Sequence, residues 1–163
     1  MSNAPACSTN IEGSPGKGQI RPIALGLIWR GDELLVFEGY DPADGEIFYR
    51  PLGGGIRFGE RSEETLRREF GEELGVELAE VRYVDTLENV FVHDGQPGHE
   101  IVLLYEAAVT DSSFYGREVF EVHEDNGLVL TAHWMALSEF GGEGPPLVPE
   151  GLLALLTREG EVR

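Results

Sequence analysis

Glu69, Glu72 and Glu73 stand three and four positions apart in the run REFGEELGV, residues 68–76. On a helix that spacing puts the Glu69 carboxylate on the same face as the other two. Like charges so placed repel. Gly75 reads as the end of the helix, so these acids also lie at the negative pole of the helix dipole, a cost of roughly 0.3–1 kcal/mol each. A divalent cation bound among them would remove both penalties. Helix physics alone would not choose the arrangement, so it is the first clue to function.

The neighbouring segments explain how such a site could be held. Ser62 reads as an N-cap, with Glu63 and Glu64 in the first turn, where the dipole favours acids. Leu66, Phe70 and Leu74 recur every four residues and predict a core-facing stripe. Upstream, Arg21–Trp29 and Glu33–Glu38 predict a hairpin about the Gly31-Asp32 turn. Tyr40–Gly45 reads as loop, and Ile47–Leu52 as a short strand running into Gly53, Gly54 and Gly55. Downstream, Val81–Val92 and Glu100–Val109 read as strands joined by a turn over Asp94–Gly98. Asp111–Gly127 reads as polar and irregular, Leu128–Leu137 as a strand, Gly141–Pro146 as loop and Glu150–Arg158 as a short amphipathic helix. The fold class expected is α/β (α+β), one mixed domain over residues 19–163 behind a flexible segment, residues 1–18.

Composition narrows the function. The net charge is −18, and Lys17 is the only lysine. Such a chain repels polyanions, so an extended nucleic-acid interface is not expected. Small phosphate-bearing substrates remain, because a cation and a few arginines supply local positive charge. No run approaches the ~20 apolar residues of a membrane span, and the N-terminus lacks the pattern of a secretory signal. The single cysteine, Cys7, excludes an intrachain disulfide and a thiolate zinc site. His93, His99, His123 and His133 show no mutual ligand spacing. The expected compartment is the cytosol.

The stretch from Gly54 to Val76 resembles the Nudix box. Gly54, Glu60, Arg68, Glu69, Phe70, Glu72, Glu73, Gly75 and Val76 fill every slot of that pattern, which spans 23 of the 163 residues. The resemblance implies an α/β/α sandwich with a mixed central sheet. It also implies a pyrophosphohydrolase that cleaves a nucleoside diphosphate linked to another moiety, by metal-activated attack of water on phosphorus. The implied cofactor is Mg²⁺, with Mn²⁺ as the alternative. Glu69, Glu72 and Glu73 would bind the metal, with a main-chain carbonyl from Gly53, and Arg68 would orient the carboxylates. Glu60 would brace the loop or join a metal shell. The box leaves the general base open: Glu69, or an acid among Glu118, Glu121 and Glu124. The resemblance also leaves a homodimer open.

The chain departs from the family pattern in two places. Pro51 stands one residue early, with Leu52 before the glycines, and Arg57 occupies a position where many members carry an acid. Arg50 and Arg57 read as surface cations that could meet phosphate. Phe91 reads as a core or pocket-wall residue that could stack on a base. Phe91 also stands sixteen residues after Gly75, where ADP-ribose hydrolases of the family often carry proline, and the tyrosine expected nearby for diadenosine polyphosphate hydrolases is missing.

Two other functions compete. A non-catalytic nucleotide sensor would be expected to have lost box residues, and this box is intact. An isopentenyl diphosphate isomerase would need a core cysteine, and Cys7 lies outside the predicted core.

Overall fold

The structure is a computed structural model that describes residues 18–160, without the side chains of 159 and 160. The predicted flexible segment, apart from Gly18, and Cys7 lie outside the described residues. Eight strands form one sheet: β1 (Arg21–Arg30), β2 (Glu33–Asp41), β3 (Glu46–Arg50), β4 (Leu52–Gly55), β5 (Leu78–His93), β6 (Gln96–Val109), β7 (Val119–His123) and β8 (Val129–Ala136). The path runs β5-β6-β1-β2-β8-β7, with β3 added to β2 and β4 to β1. β1 and β6 are parallel while their other pairings are antiparallel, so the sheet is mixed, as expected.

Two helices cover opposite faces. In β2, Leu34 and Val36 point one way and Leu35 and Phe37 the other, the period of two that a doubly buried strand shows. Leu35 and Phe37 share a core with Leu66 and Phe70 of α1 (Ser62–Leu74). Leu34 and Val36 share the opposite core with Leu152, Leu155 and Leu156 of α2 (Leu152–Gly160). The result is the α/β/α sandwich.

Several local expectations change. The helix begins at Ser62 rather than being capped by it: Arg61 is the N-cap, and its backbone N–H donates to the Glu64 carboxylate at 2.7 Å. The Ser62 hydroxyl is engaged instead with the Tyr105 hydroxyl. Gly75 does close the helix, in the left-handed conformation, with its N–H donating to the Gly71 carbonyl.

The three glycines belong to β4, a separate strand that begins after Pro51 and pairs with β1, rather than following the end of one continuous strand. A Cβ on Gly53 would lie 2.0 Å from the Ala24 carbonyl oxygen, so only glycine permits this approach. The β5–β6 turn tightens to Asp94-Gly95, both with positive φ, the pattern of a two-residue hairpin turn.

The largest correction concerns 111–127. This stretch contains a 3₁₀ turn (Ser112–Gly116) and the strand β7. Phe114, Phe120 and Val122 are buried. Val119–His123 buries Phe120 and Val122 on one row and exposes Val119, Glu121 and His123 on the other, a short pattern masked by its acidic flanks.

Candidate metal and phosphate site

α1 packs against β4, β1, β7 and β5. That packing gathers one segment from each of three places: the glycines of β4, the acidic face of α1, and the end of β7. Glu69 and Glu73 are buried, at 3% and 6% exposure, whereas Glu72 faces solvent. No basic residue lies in the last turn of α1, so the dipole argument from sequence holds.

Arg68 organises the acids. Its Nε and Nη2 donate to the two oxygens of Glu60, at 2.8 and 3.0 Å, a bidentate pair. Nη1 donates to Glu69 at 3.0 Å and to Glu72 at 3.3 Å, and Nη2 also donates to the Gly55 carbonyl at 3.2 Å. One guanidinium thus ties the loop, the glycine strand and two helix acids together. Thr65 adds a hydroxyl donor to Glu60. Chiefly through Arg68, the Glu60 carboxyl is held down to about 2. Glu60 is thus tied to Arg68 and Thr65 and ionised at any working pH.

Glu73 behaves in the opposite way. Burial first, then the charge of Glu124 and the neighbouring Glu69 carboxyl, push its carboxyl far above the ordinary range, and only Arg50 opposes them. Glu124 is raised by burial as well, with Glu69 and Asp125 adding to the effect and Arg50 and Arg21 opposing it. Glu69, Glu73 and Glu124 thus form one electrostatic cluster.

Among the three loop acids, Glu124 is the one whose charge acts on Glu73. It follows the inward row Phe120 and Val122 of β7 and is fixed by the tight turn in which the Glu124 N–H donates to the Leu128 carbonyl. Glu118 is drawn to Arg30 at 2.8 Å, and Glu121 is exposed beside His123. The parity of β7 was the available signal: with Phe120 and Val122 inward, Glu124 shares their row and Glu121 does not.

The arginines also sort themselves. Arg50, expected at the surface, is buried against the Phe37 ring at 5.1 Å. Arg57 is exposed in a turn closed by the Glu60 N–H donating to its carbonyl. Sequence reasoning passed over Arg21, which opens the apolar β1. It is buried in an ion pair with Glu100 at 3.7 Å, and burial and Arg50 lower its pKa. The tip of the Phe91 ring occupies the space a side chain would need on Gly98, its cross-strand partner in the β5–β6 hairpin.

Gly54 faces Glu69. A Cβ there would lie 2.4 Å from Glu69 Oε1. Gly54→Ala should therefore displace the carboxylate while leaving the strand in place. The expected result is a fall in kcat/KM of about 10–100-fold with little change in melting temperature, read by steady-state kinetics and thermal melting on one preparation.

Among the described residues, no three His, Cys, Asp or Glu side chains converge closely enough to enclose an ion as they stand. A Mg²⁺-type site does not need that, because this cation keeps several waters and takes one or two carboxylates together with substrate phosphates. The buried Glu69 and Glu73, the excess negative charge around them and the side-chain-free strand beside them fit such an ion.

A family model, the NUDIX domain, matches residues 20–152. The chain therefore belongs to the NUDIX family and is a hydrolase of phosphoric anhydride bonds. Members of this family generally use a divalent metal and act on small nucleotides. Comparison with functionally curated proteins returns no sequence match.

Solved structures share the fold. A MutT NUDIX hydrolase from Burkholderia pseudomallei superposes with a TM-score of 0.60 at 21% identity, covering 85% of this chain and 97% of that one. A NUDIX-family hydrolase from Clostridium perfringens gives 0.57 at 17% identity, covering 87% and 97%. The E. coli ORF135 protein gives 0.56 at 22% identity, covering 89% and 94%. No helix among the described residues is long and apolar enough to cross a membrane.

Proposed function

We propose that this chain is a Mg²⁺-dependent pyrophosphohydrolase of nucleoside diphosphates linked to another group, with Mn²⁺ as an alternative metal, working in the cytosol. The observation that carries the reading is the joining of buried Glu69 and Glu73 with Glu124 beside a glycine strand, with Glu69 and that strand tied together by Arg68. When bound, the cation would be held by Glu69 and Glu73, with Glu72 and the Gly53 carbonyl as further donors. It would neutralise phosphate oxygens and acidify the attacking water.

The chain's own residues do the rest. Arg68 keeps the Glu69 carboxylate turned toward Gly54 and limits its rotation. Glu124, or Glu69, accepts the proton of the attacking water. The new P–O bond forms as the anhydride P–O bond breaks, giving a nucleoside monophosphate and the phosphorylated second group. Arg50, Arg57 and Phe91 are the candidate contacts to substrate.

The test is a panel of such diphosphates with Mg²⁺ and with Mn²⁺, scored by release of nucleoside monophosphate. Glu124→Gln should lower kcat by about 10²–10³-fold as a general base would, while Glu121→Gln should stay within about twofold. Equal loss in both variants would remove Glu124 from the mechanism. Metal-dependent nucleotide binding with no turnover on any substrate would replace the hydrolytic reading with a sensor.

A further inference from the structure

Arg50 is the one candidate substrate contact that the fold has placed inside the molecule. It ends β3 at a position paired with Phe37 of β2. The pleat turns its neighbour Tyr49 toward Phe140 and His133, on the α2 side of the sheet. Arg50 therefore faces the α1 side, over the Phe37 ring, three residues ahead of Gly53. There it acts electrostatically on both Glu73 and Glu124.

Arg50 is nine-tenths buried as a residue, at 9% exposure, and its buried Nε–H has no hydrogen-bond partner among the described residues. A buried donor left unsatisfied is costly, and native structures seldom keep one without a reason.

We propose that the buried guanidinium of Arg50 receives a non-bridging phosphoryl oxygen of the substrate through its vacant Nε–H, and so selects a diphosphate anion independently of the metal. This deepens the hydrolase reading and rests on it. An anionic oxygen supplies the missing acceptor, and a fork of N–H donors suits the tetrahedral phosphoryl group. The same positive charge acts on Glu73 and Glu124, so it also opposes a cation brought to those carboxylates. Anion binding and cation binding must then respond to Arg50 with opposite signs. A merely structural arginine would weaken both together.

The experiment uses the full chain and two titrations. Imidodiphosphate, whose bridging nitrogen resists hydrolysis, is titrated by calorimetry in saturating Mg²⁺. Mn²⁺ alone is titrated by electron paramagnetic resonance without any anion. Arg50→Gln is expected to weaken imidodiphosphate by about 10–100-fold and to leave Mn²⁺ affinity unchanged or tighter. Arg50→Lys keeps the charge but loses the fork, and should fall between the wild type and Arg50→Gln. It also serves as the folding control should the glutamine variant melt below assay temperature.

Imidodiphosphate affinity within twofold of wild type in both variants would overturn the proposal, as would a parallel loss of Mn²⁺ affinity. Neither titration depends on turnover. If no diphosphate on the panel is cleaved yet imidodiphosphate still discriminates the variants, the hydrolase reading fails and Arg50 stands. If turnover proceeds and the affinities do not move, the reverse holds.

Discussion

Glu73→Gln should make the metal-free protein more stable and the enzyme nearly inactive. The wild-type carboxyl is buried beside Glu69 and Glu124, and burial leads the causes that raise its pKa. In the unfolded chain this group ionises at an ordinary value near 4.5. Above that pH, folding without metal must take up a proton or bury a charge. The folded state then binds more protons than the unfolded one, so stability declines as pH rises from the ordinary carboxyl range toward the raised value. Glutamine has the same shape and carries no charge.

At neutral pH in a chelator, Glu73→Gln should gain about 1–3 kcal/mol, or roughly 3–8 °C in Tm for a chain of this length. Its stability should also vary less with pH over that window. With Mg²⁺ present, the ligand is lost, and kcat/KM should fall by about 10²–10⁴-fold. Thermal melts with and without Mg²⁺, from pH 5 to 9, test both halves. A variant less stable than wild type in chelator would mean that Glu73 is an ordinary packed acid.

Arg68→Ala should be the most damaging single change to the site's framework. It removes donors to Glu60, Glu69 and Glu72 and to the Gly55 carbonyl. Breaking a buried pair by deleting one partner costs more than the pair itself contributes, because the other charge is left uncompensated. Both Arg68 and Glu60 keep some exposure, about one-sixth of each side chain, which reduces the penalty. A loss of about 2–4 kcal/mol is expected, together with a fall in kcat/KM of about 10²-fold as the carboxylates lose their alignment. Arg68→Lys should recover little, since one ammonium cannot span Glu60 in two bonds and still reach Glu69.

Acid sensitivity supplies a second readout. The depressed Glu60 carboxyl contributes stability that is present above its ordinary pKa of 4.5 and lost as pH falls through about 2. Without Arg68 that contribution disappears, so the variant's stability should lose this acid limb. Wild-type-like acid unfolding in Arg68→Ala would show that Thr65 and the loop backbone, not Arg68, hold Glu60.

How much of this was legible in the chain depends on the range of the interaction that decides it. The helix, its apolar stripe and its Gly75 cap follow from contacts three to five residues apart, and they match the structure. The hairpin turn at Asp94-Gly95 is equally local. Ser62 failed as a cap because Tyr105, forty-three residues away, engages its hydroxyl. β7 was hidden because five residues amid acidic neighbours carry a weak period-two signal, and pairing with β8 supplies what propensity does not.

By itself the sequence determined the class of chemistry. The box places carboxylates, arginine and glycine at fixed offsets along one helix and its loop, and helix geometry converts those offsets directly into neighbours. Only the tertiary structure decided what surrounds them. It turned Glu73 inward and Glu72 outward, brought Glu124 rather than Glu118 or Glu121 into the field of Glu69 and Glu73, and buried Arg50 where a surface cation was expected. The physical reason is that burial and charge fields belong to the packed sheet, not to the segment. A residue's distance in sequence says nothing about the dielectric it will occupy, and here that dielectric is set by strands brought together from both ends of the chain.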